Sequence, residues 1–156
     1  MQLKKLLEKW DLASLKISTP FMEMEWVPRD EDKTAAWELY IELITRVATQ
    51  HLEPEAGDEA AALASIADLF ELTRKTIKRN GRYCINFTRI AVVVLNQKVR
   101  PFTAKWHPRA LAGPLGDADK AAFRTELRAL QTDLRNYTRL LADLADVEDM
   151  TDLEAV

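Results

Sequence analysis

The densest chemistry in the chain lies between residues 100 and 107, in the run Arg-Pro-Phe-Thr-Ala-Lys-Trp-His. Arg100 and Lys105 could hold an anion, Trp106 could stack on a planar group, and His107 could titrate near neutrality. Such a set could grip a nucleotide-like molecule or a carboxylate. Arg100, Lys105, Trp106 and His107 are therefore candidate ligand-binding residues. The competing reading is structural. Cations at a helix C-terminus complement the helix dipole, Phe102 and Trp106 would close the end of a core, and His107 would cap carbonyls.

Other reactive residue types are sparse. The two histidines, His51 and His107, belong to no Glu-x-x-His motif, and a di-iron bundle site needs two such motifs with further carboxylates. A zinc site would lack Cys and His ligands, so no metal is expected. Cys84 is the single cysteine. His107 would stand about 30 Å from it along a continuous helix, so Cys84 has no evident base and reads as a small buried thiol. No phosphate loop, dinucleotide fingerprint or Gly-x-Ser-x-Gly elbow occurs. Neither a catalytic residue nor a cofactor is assigned.

Arg124, Arg128, Arg135 and Arg139 fall within an arc of roughly 60° on a helix of ideal geometry, with no acid between them on that stripe. They form a candidate partner surface that could meet an acidic protein or phosphates; the alternative is a solvated helix face. A second basic set runs through Arg74, Lys75, Lys78, Arg79 and Arg82. Every charged residue after Arg139 is acidic, which favours pairing with a basic surface of the same or another chain.

Composition narrows the classes. With 47% hydrophobic and 30% charged residues, 156 residues suffice for one folded domain with a sizeable core. Four glycines are too few for Gly-rich loops or many hairpins. A net charge of −3 opposes broad binding to nucleic acid or anionic membrane. No apolar run nears the ~20 residues that span a bilayer. A lone cysteine suits a reducing cytoplasm, which is the expected location.

The elements follow from periodicity. Residues 90–95, Ile-Ala-Val-Val-Val-Leu, are apolar all round a helix, so the spacing predicts a central helix covered on every side. Pro101 predicts a kink near residues 97–100, and Pro108 a stop. A first long helix is expected over about 31–52, capped by Asp30 or Asp32, with Trp37, Tyr40, Ile41, Ile44, Val47, Ala48 and His51 inward and Leu39 and Leu43 widening the face. Pro54 and Gly57 mark a turn. A second helix is expected over about 58–80, capped by Asp58 and stopped by Asn80-Gly81. A tight link there would make it an antiparallel neighbour of the central helix. The last helix, over about 117–147 with Asp117 as cap, carries Phe123, Leu127, Leu130, Leu134, Tyr137, Leu141 and Leu144 at alternating steps of four and three, a heptad seam.

Residues 1–30 read as an arm. A short helix over 1–10 is followed by an irregular stretch with room for a short strand at 15–18. Trp10 and Trp26 would fill gaps between helices. The expected fold is all-α: a four-helix up-down-up-down bundle over 31–147, the irregular N-terminal arm packed on it, a Pro-kinked central helix, and an acidic, frayed tail over 148–156.

Three segments taken together carry a resemblance: AWELYIELITRVATQ at 35–49, AVVVLNQKVRPFTAKWHP at 91–108 and LADLADVEDMTDLE at 141–154. They resemble small all-helical bacterial proteins associated with anti-phage defence gene sets, the most specific element being Arg-Pro-Phe-x-x-Lys-Trp-His. The resemblance implies a bacterial cytoplasmic accessory protein. The function expected is a non-enzymatic interaction module that binds a partner protein or a second copy. Its alternatives are a small-ligand sensor at Arg100–His107 and, less favoured by the net acidity, a helical nucleic-acid-binding subunit.

Overall fold

The computed structural model describes residues 1–53 and 58–154. Among the described residues the chain is all-helical, with no strand. The elements are α1 (Leu3–Lys9), the single turn α2 (Thr19–Met22), α3 (Asp30–Ile44), α4 (Glu59–Asn80), α5 (Ile85–Val94), a π-helical turn (Leu95–Val99), α6 (Arg100–Leu111) and α7 (Asp117–Ala145). The extended stretch expected at 15–18 forms no strand. The only β-type pairing among the described residues is an isolated bridge between Gln2 and Glu25. The expected turn at Pro54 and Gly57 lies outside the described residues.

The helix at the middle of the packing is α3. It lies along α7, flanks α4 and meets α5, while α4 also packs on the π turn and α6. The tight link at Gly81 thus leaves α5 chiefly against α3, and not along α4. Ala35, Ala36, Leu39, Tyr40 and Leu43 form the buried face of α3, whereas Trp37 and Ile41 are 41% and 36% exposed. The expected inward face holds in part: Tyr40, Ala48, Leu39 and Leu43 are buried and Ile44 and Val47 partly so, while Trp37, Ile41 and His51 are exposed. The helix also ends at Ile44, well short of residue 52. Side chains beyond it compete for its last carbonyls: Thr45 donates to Ile41 O at 3.0 Å, Thr49 to Leu43 O at 2.7 Å and Gln50 to Ile44 O at 2.8 Å. Ser, Thr and their like divert backbone groups from helix propagation in this way.

Both expected acidic caps of α3 shift. Arg29 occupies the N-cap, Asp30 is the first helical residue and Asp32 the third. Asp32 is fully buried and accepts the Arg29 backbone N–H at 2.9 Å. It also accepts the backbone N–H of Phe87 at 2.8 Å and the Asn86 amide at 3.2 Å, so one carboxylate caps α3 and the start of α5. Asp58 caps α4 as expected, accepting from Ala61 N. Asn80-Gly81 ends it, with Gly81 at φ 81° and ψ −178°. Asp117 is the first residue of α7 and makes no cap bond; Gly116 holds the cap position.

Pro101 acts through a wider turn. It cannot donate to the carbonyl of Gln97, and the chain responds with a π turn in which Arg100 N bonds to Leu95 O, five residues back. Pro101 then stands in the first turn of α6, where no donor is needed. Pro108, expected as the stop, sits inside α6, which continues to Leu111. Pro108 and Ala104, whose carbonyl loses its donor, are both exposed, so water can serve that carbonyl.

All seven heptad-seam residues of α7 are buried. The helix closes at Asp146, in left-handed conformation at φ 58°, and the chain turns back. Tyr40 Oη accepts Met150 N at 2.6 Å, Thr151 is buried, and Arg139 pairs with Asp152 at 2.7 Å. The expected fraying thus does not describe residues 148–152, which dock on α3 and α7. At the other end Leu3, Leu6, Leu7, Leu12 and Leu15 enter the core. Trp10 and Trp26 are partly buried against it, and Trp10 Nε1 bonds to Asp143 at 3.0 Å.

Candidate functional site

The run at 100–107 divides between two sides of α6. Trp106 is fully buried, edge-on to Phe123 with ring centroids 5.3 Å apart, and donates through Nε1 to Glu126 of α7 at 2.6 Å. Lys105 pairs with the other oxygen of the same carboxylate. The Lys105 bond pulls the Glu126 carboxyl below its ordinary value; burial opposes this and the Trp106 bond adds to it. Arg100 turns the other way. Its guanidinium lies 4.6 Å over the Phe70 ring of α4, and its Nε bonds to Asn96 at 3.1 Å. His107 is exposed. The structure brings Lys105 and Trp106 together on Glu126 and does not bring Arg100 or His107 to them.

The arginine stripe of α7 is engaged largely with its own chain. Arg124 bonds to Glu59 at 2.9 Å and to the carbonyl of Glu53 at 2.9 Å. Burial raises the Glu59 carboxyl, but the Arg124 bond, a backbone N–H bond and the charges of Arg124 and Lys120 together outweigh it, and the group lies below its ordinary value. Arg135 bonds to Thr49 O at 2.8 Å, and Arg139 to Asn136 and Asp152. Arg128 is exposed and reaches only Thr125, at 3.4 Å, among the described residues. Much of the stripe therefore clamps the segment after α3 and the returning tail. Cys84 is buried, with Sγ 3.1 Å from Gly81 O and 3.7 Å from Thr88 Oγ1. No group of three or more His, Cys, Asp or Glu is placed to hold a metal among the described residues.

A different surface stands open. The apolar helix expected to be enclosed on all sides is not. Ile90, Ala91 and Val94 are buried, but Ile85 and Val92 are 42% and 43% exposed. Thr88, Arg89, Val92 and Val93 of α5 face a shallow groove between α5 and the arm. The groove, of about 290 Å³, is lined by Leu3, Ile17, Phe21, Arg89, Val92 and Val93 among others. Phe21 is itself exposed, and the Arg89 guanidinium lies 5.6 Å over its ring. Asn86 links this groove to its neighbourhood: its Oδ1 accepts Arg89 Nη1 at 3.1 Å and its amide donates to Val27 O at 2.8 Å. Before the start of α5, exposed Tyr83 has the guanidiniums of Arg29 and Arg82 at 5.5 and 5.2 Å from its ring centroid.

Phe21, Arg89 and Val92 do not stand out as one surface from residue type and spacing. The available signal was Arg89, a charge within an otherwise apolar stretch, on the helical stripe of Ile85 and Val92. No family model, no curated protein and no solved structure matches this chain.

Proposed function

We infer that this protein is a non-enzymatic helical interaction module that binds a partner protein through the open face of α5. The supporting observation is the exposure of Ile85 and Val92, with Phe21, on the most apolar helix of the chain. Exposed apolar residues that cluster beside a groove mark contact sites, whereas scattered ones need no explanation. Arg89 in the groove lining is of a residue type enriched among those that dominate binding energy at protein interfaces. The scaffold behind the face is read as a four-helix up-down-up-down bundle: α3, α4, the continuous run of α5, π turn and α6 bent before Pro101, and α7. Such a bundle presents a rigid helix face. The resemblance of residues 35–49, 91–108 and 141–154 to helical proteins of anti-phage defence gene sets supports an accessory or regulatory role in a bacterial cytoplasmic system.

The test is co-purification from the native host with the wild-type chain and with Val92→Glu as baits, read by mass spectrometry. Val92 is solvent-facing, so the variant should keep its helical circular dichroism and melting temperature. A partner protein recovered with wild type and lost with Val92→Glu is the expected result. A partner that survives the change, or none at all, overturns assignment of this face.

A further inference from the structure

We propose that the π turn is a latch for the N-terminal arm: Gln97 clasps the backbone of Lys16 and thereby holds Ile17 in place as the arm-side wall of the α5 groove. The latch stands on contacts within this chain; only its bearing on a partner rests on the reading of α5 as a binding face.

The arm needs such a hold at this point. Residues 16–18 belong to no helix or strand, and the peptide groups of Lys16 bond to no other backbone group among the described residues. Gln97 supplies both partners. Its Oε1 accepts the Lys16 N–H at 2.8 Å, and its Nε2 donates to the Lys16 carbonyl at 2.6 Å. One side-chain amide thus satisfies a donor and an acceptor that secondary structure would otherwise have to serve. The adjacent Lys98 donates to Ser14 Oγ at 3.0 Å and pairs with Asp133 of α7 at 3.5 Å. Two consecutive residues of the π turn therefore grip the arm at Ser14 and Lys16. Ile17, the next residue, is partly buried against the core and lines the groove with Leu3, Phe21 and Val92. Leu12 and Leu15 anchor the chain before the latch, so letting go of Gln97 frees the stretch after Leu15 and not the whole arm.

The π turn gives Gln97 a fixed base. Phe87 of α5 and Trp106 of α6 are both fully buried, yet on one uninterrupted α-helix their side chains would point about 100° apart. A π turn closes its bond over one more residue than an α turn, and that extra residue brings the two side chains onto one face. The core therefore holds the turn from both sides, through Phe87, Ile90 and Val94 before it and Val99, Phe102 and Trp106 after it. Asn96 and Gln97 stand on its exposed side. Single π turns inside helices recur at functional sites, and the task of this one is the contact with the arm.

The experiment is limited trypsin digestion of the full-length protein, wild type against Gln97→Ala, with fragments read by mass spectrometry. Gln97 is exposed and Ala favours helix, so the variant should keep its melting temperature. Cleavage between Lys16 and Ile17 requires the Lys16 backbone to leave the clasp. It should run on the order of tenfold faster in Gln97→Ala, the scale for losing one or two net hydrogen bonds, with cleavage after Lys75 in α4 unchanged. Maleimide labelling of Ile17→Cys reads the groove wall. Adding Gln97→Ala should speed that labelling severalfold, while buried Cys84 stays unreactive as the internal control. Unchanged cleavage at Lys16 in Gln97→Ala overturns the latch, and so does an increase matched at Lys75, which is general loosening. Faster cleavage with unchanged labelling of Ile17→Cys overturns the link to the groove wall. Neither readout uses a partner, so failure of the α5 face in co-purification and failure of the latch are separate results.

Discussion

Asp32 in the first turn of α3 accepts the backbone N–H of Phe87 in the first turn of α5 at 2.8 Å, from a fully buried position. The same carboxylate takes the Arg29 N–H and the Asn86 amide. Two helix starts, each with orphan donors, thus share one acceptor, and that bond fixes where the exposed face of α5 begins. Asp32→Ala should strip three donors of their partner and lower stability by roughly 2–4 kcal/mol, the scale for buried polar groups left unsatisfied. Chemical denaturation measures it. A loss below about 1 kcal/mol would show that α5 does not depend on this bond.

Glu126 separates two roles within the run at 100–107. Glu126→Ala leaves the indole N–H of buried Trp106 without its acceptor and should cost about 1–3 kcal/mol. Lys105→Ala removes only a half-exposed ion pair and should cost about 1 kcal/mol or less. His107→Ala, at an exposed position, should stay within about 0.5 kcal/mol. If Lys105→Ala and His107→Ala abolish function in the host while melting temperatures hold, that end of α6 is a ligand site after all. Retained function removes it.

Acid should weaken the fold through Glu59 and Glu126. Both carboxyls lie below their ordinary value of 4.5 in the folded protein, so the unfolded chain binds their protons more readily. Their stabilisation is fully present above about pH 4.5 and is lost as pH falls through the lower folded values. Melting temperature measured from pH 7 to pH 3 should drop, and Glu126→Gln should flatten part of that drop. An unchanged profile in the variant would show that the Lys105 contact does not bias this carboxyl.

Tyr40 ties the returning tail to α3. Tyr40→Phe removes the acceptor of Met150 N and should cost about 1 kcal/mol. The sharper readout is hydrogen exchange, which should speed up at Met150 and Thr151 while the amides of α7 stay protected. Uniform exchange in the two proteins would mean that Arg139 and packing hold the tail without the hydroxyl.

Gly81 carries a cost of conformation alone. A Cβ added there would meet nothing within 4 Å, yet the residue sits at φ 81°, with ψ in the region that side chains avoid. Gly81→Ala should therefore destabilise by about 1–3 kcal/mol without any steric clash. A neutral result would indicate that the turn relaxes to another geometry.

The sequence by itself determined what local chemistry can determine. The heptad seam of α7, the Asp58 cap and the Asn80-Gly81 stop stand where spacing and residue type put them, because each depends on neighbours within a turn or two. The effect of Pro101 was legible as a disturbance, since a missing donor must be answered nearby; the π turn was the answer. Tertiary structure decided what lies across from each face. Periodicity groups Trp37 with Ile41, and Ile85 with Val92, but cannot say which group another helix covers. Ala35 and Ala36 are buried while Trp37 on the same helix faces outward, and Val92 stands open in the groove beside the arm. The same holds for charge. The arginine stripe of α7 was visible as a stripe, while its use in holding Glu59, Thr49 and Asp152 depended on segments that return from 13 to 86 residues away. Long-range placement is a property of the whole packing, and the candidate binding face is its product.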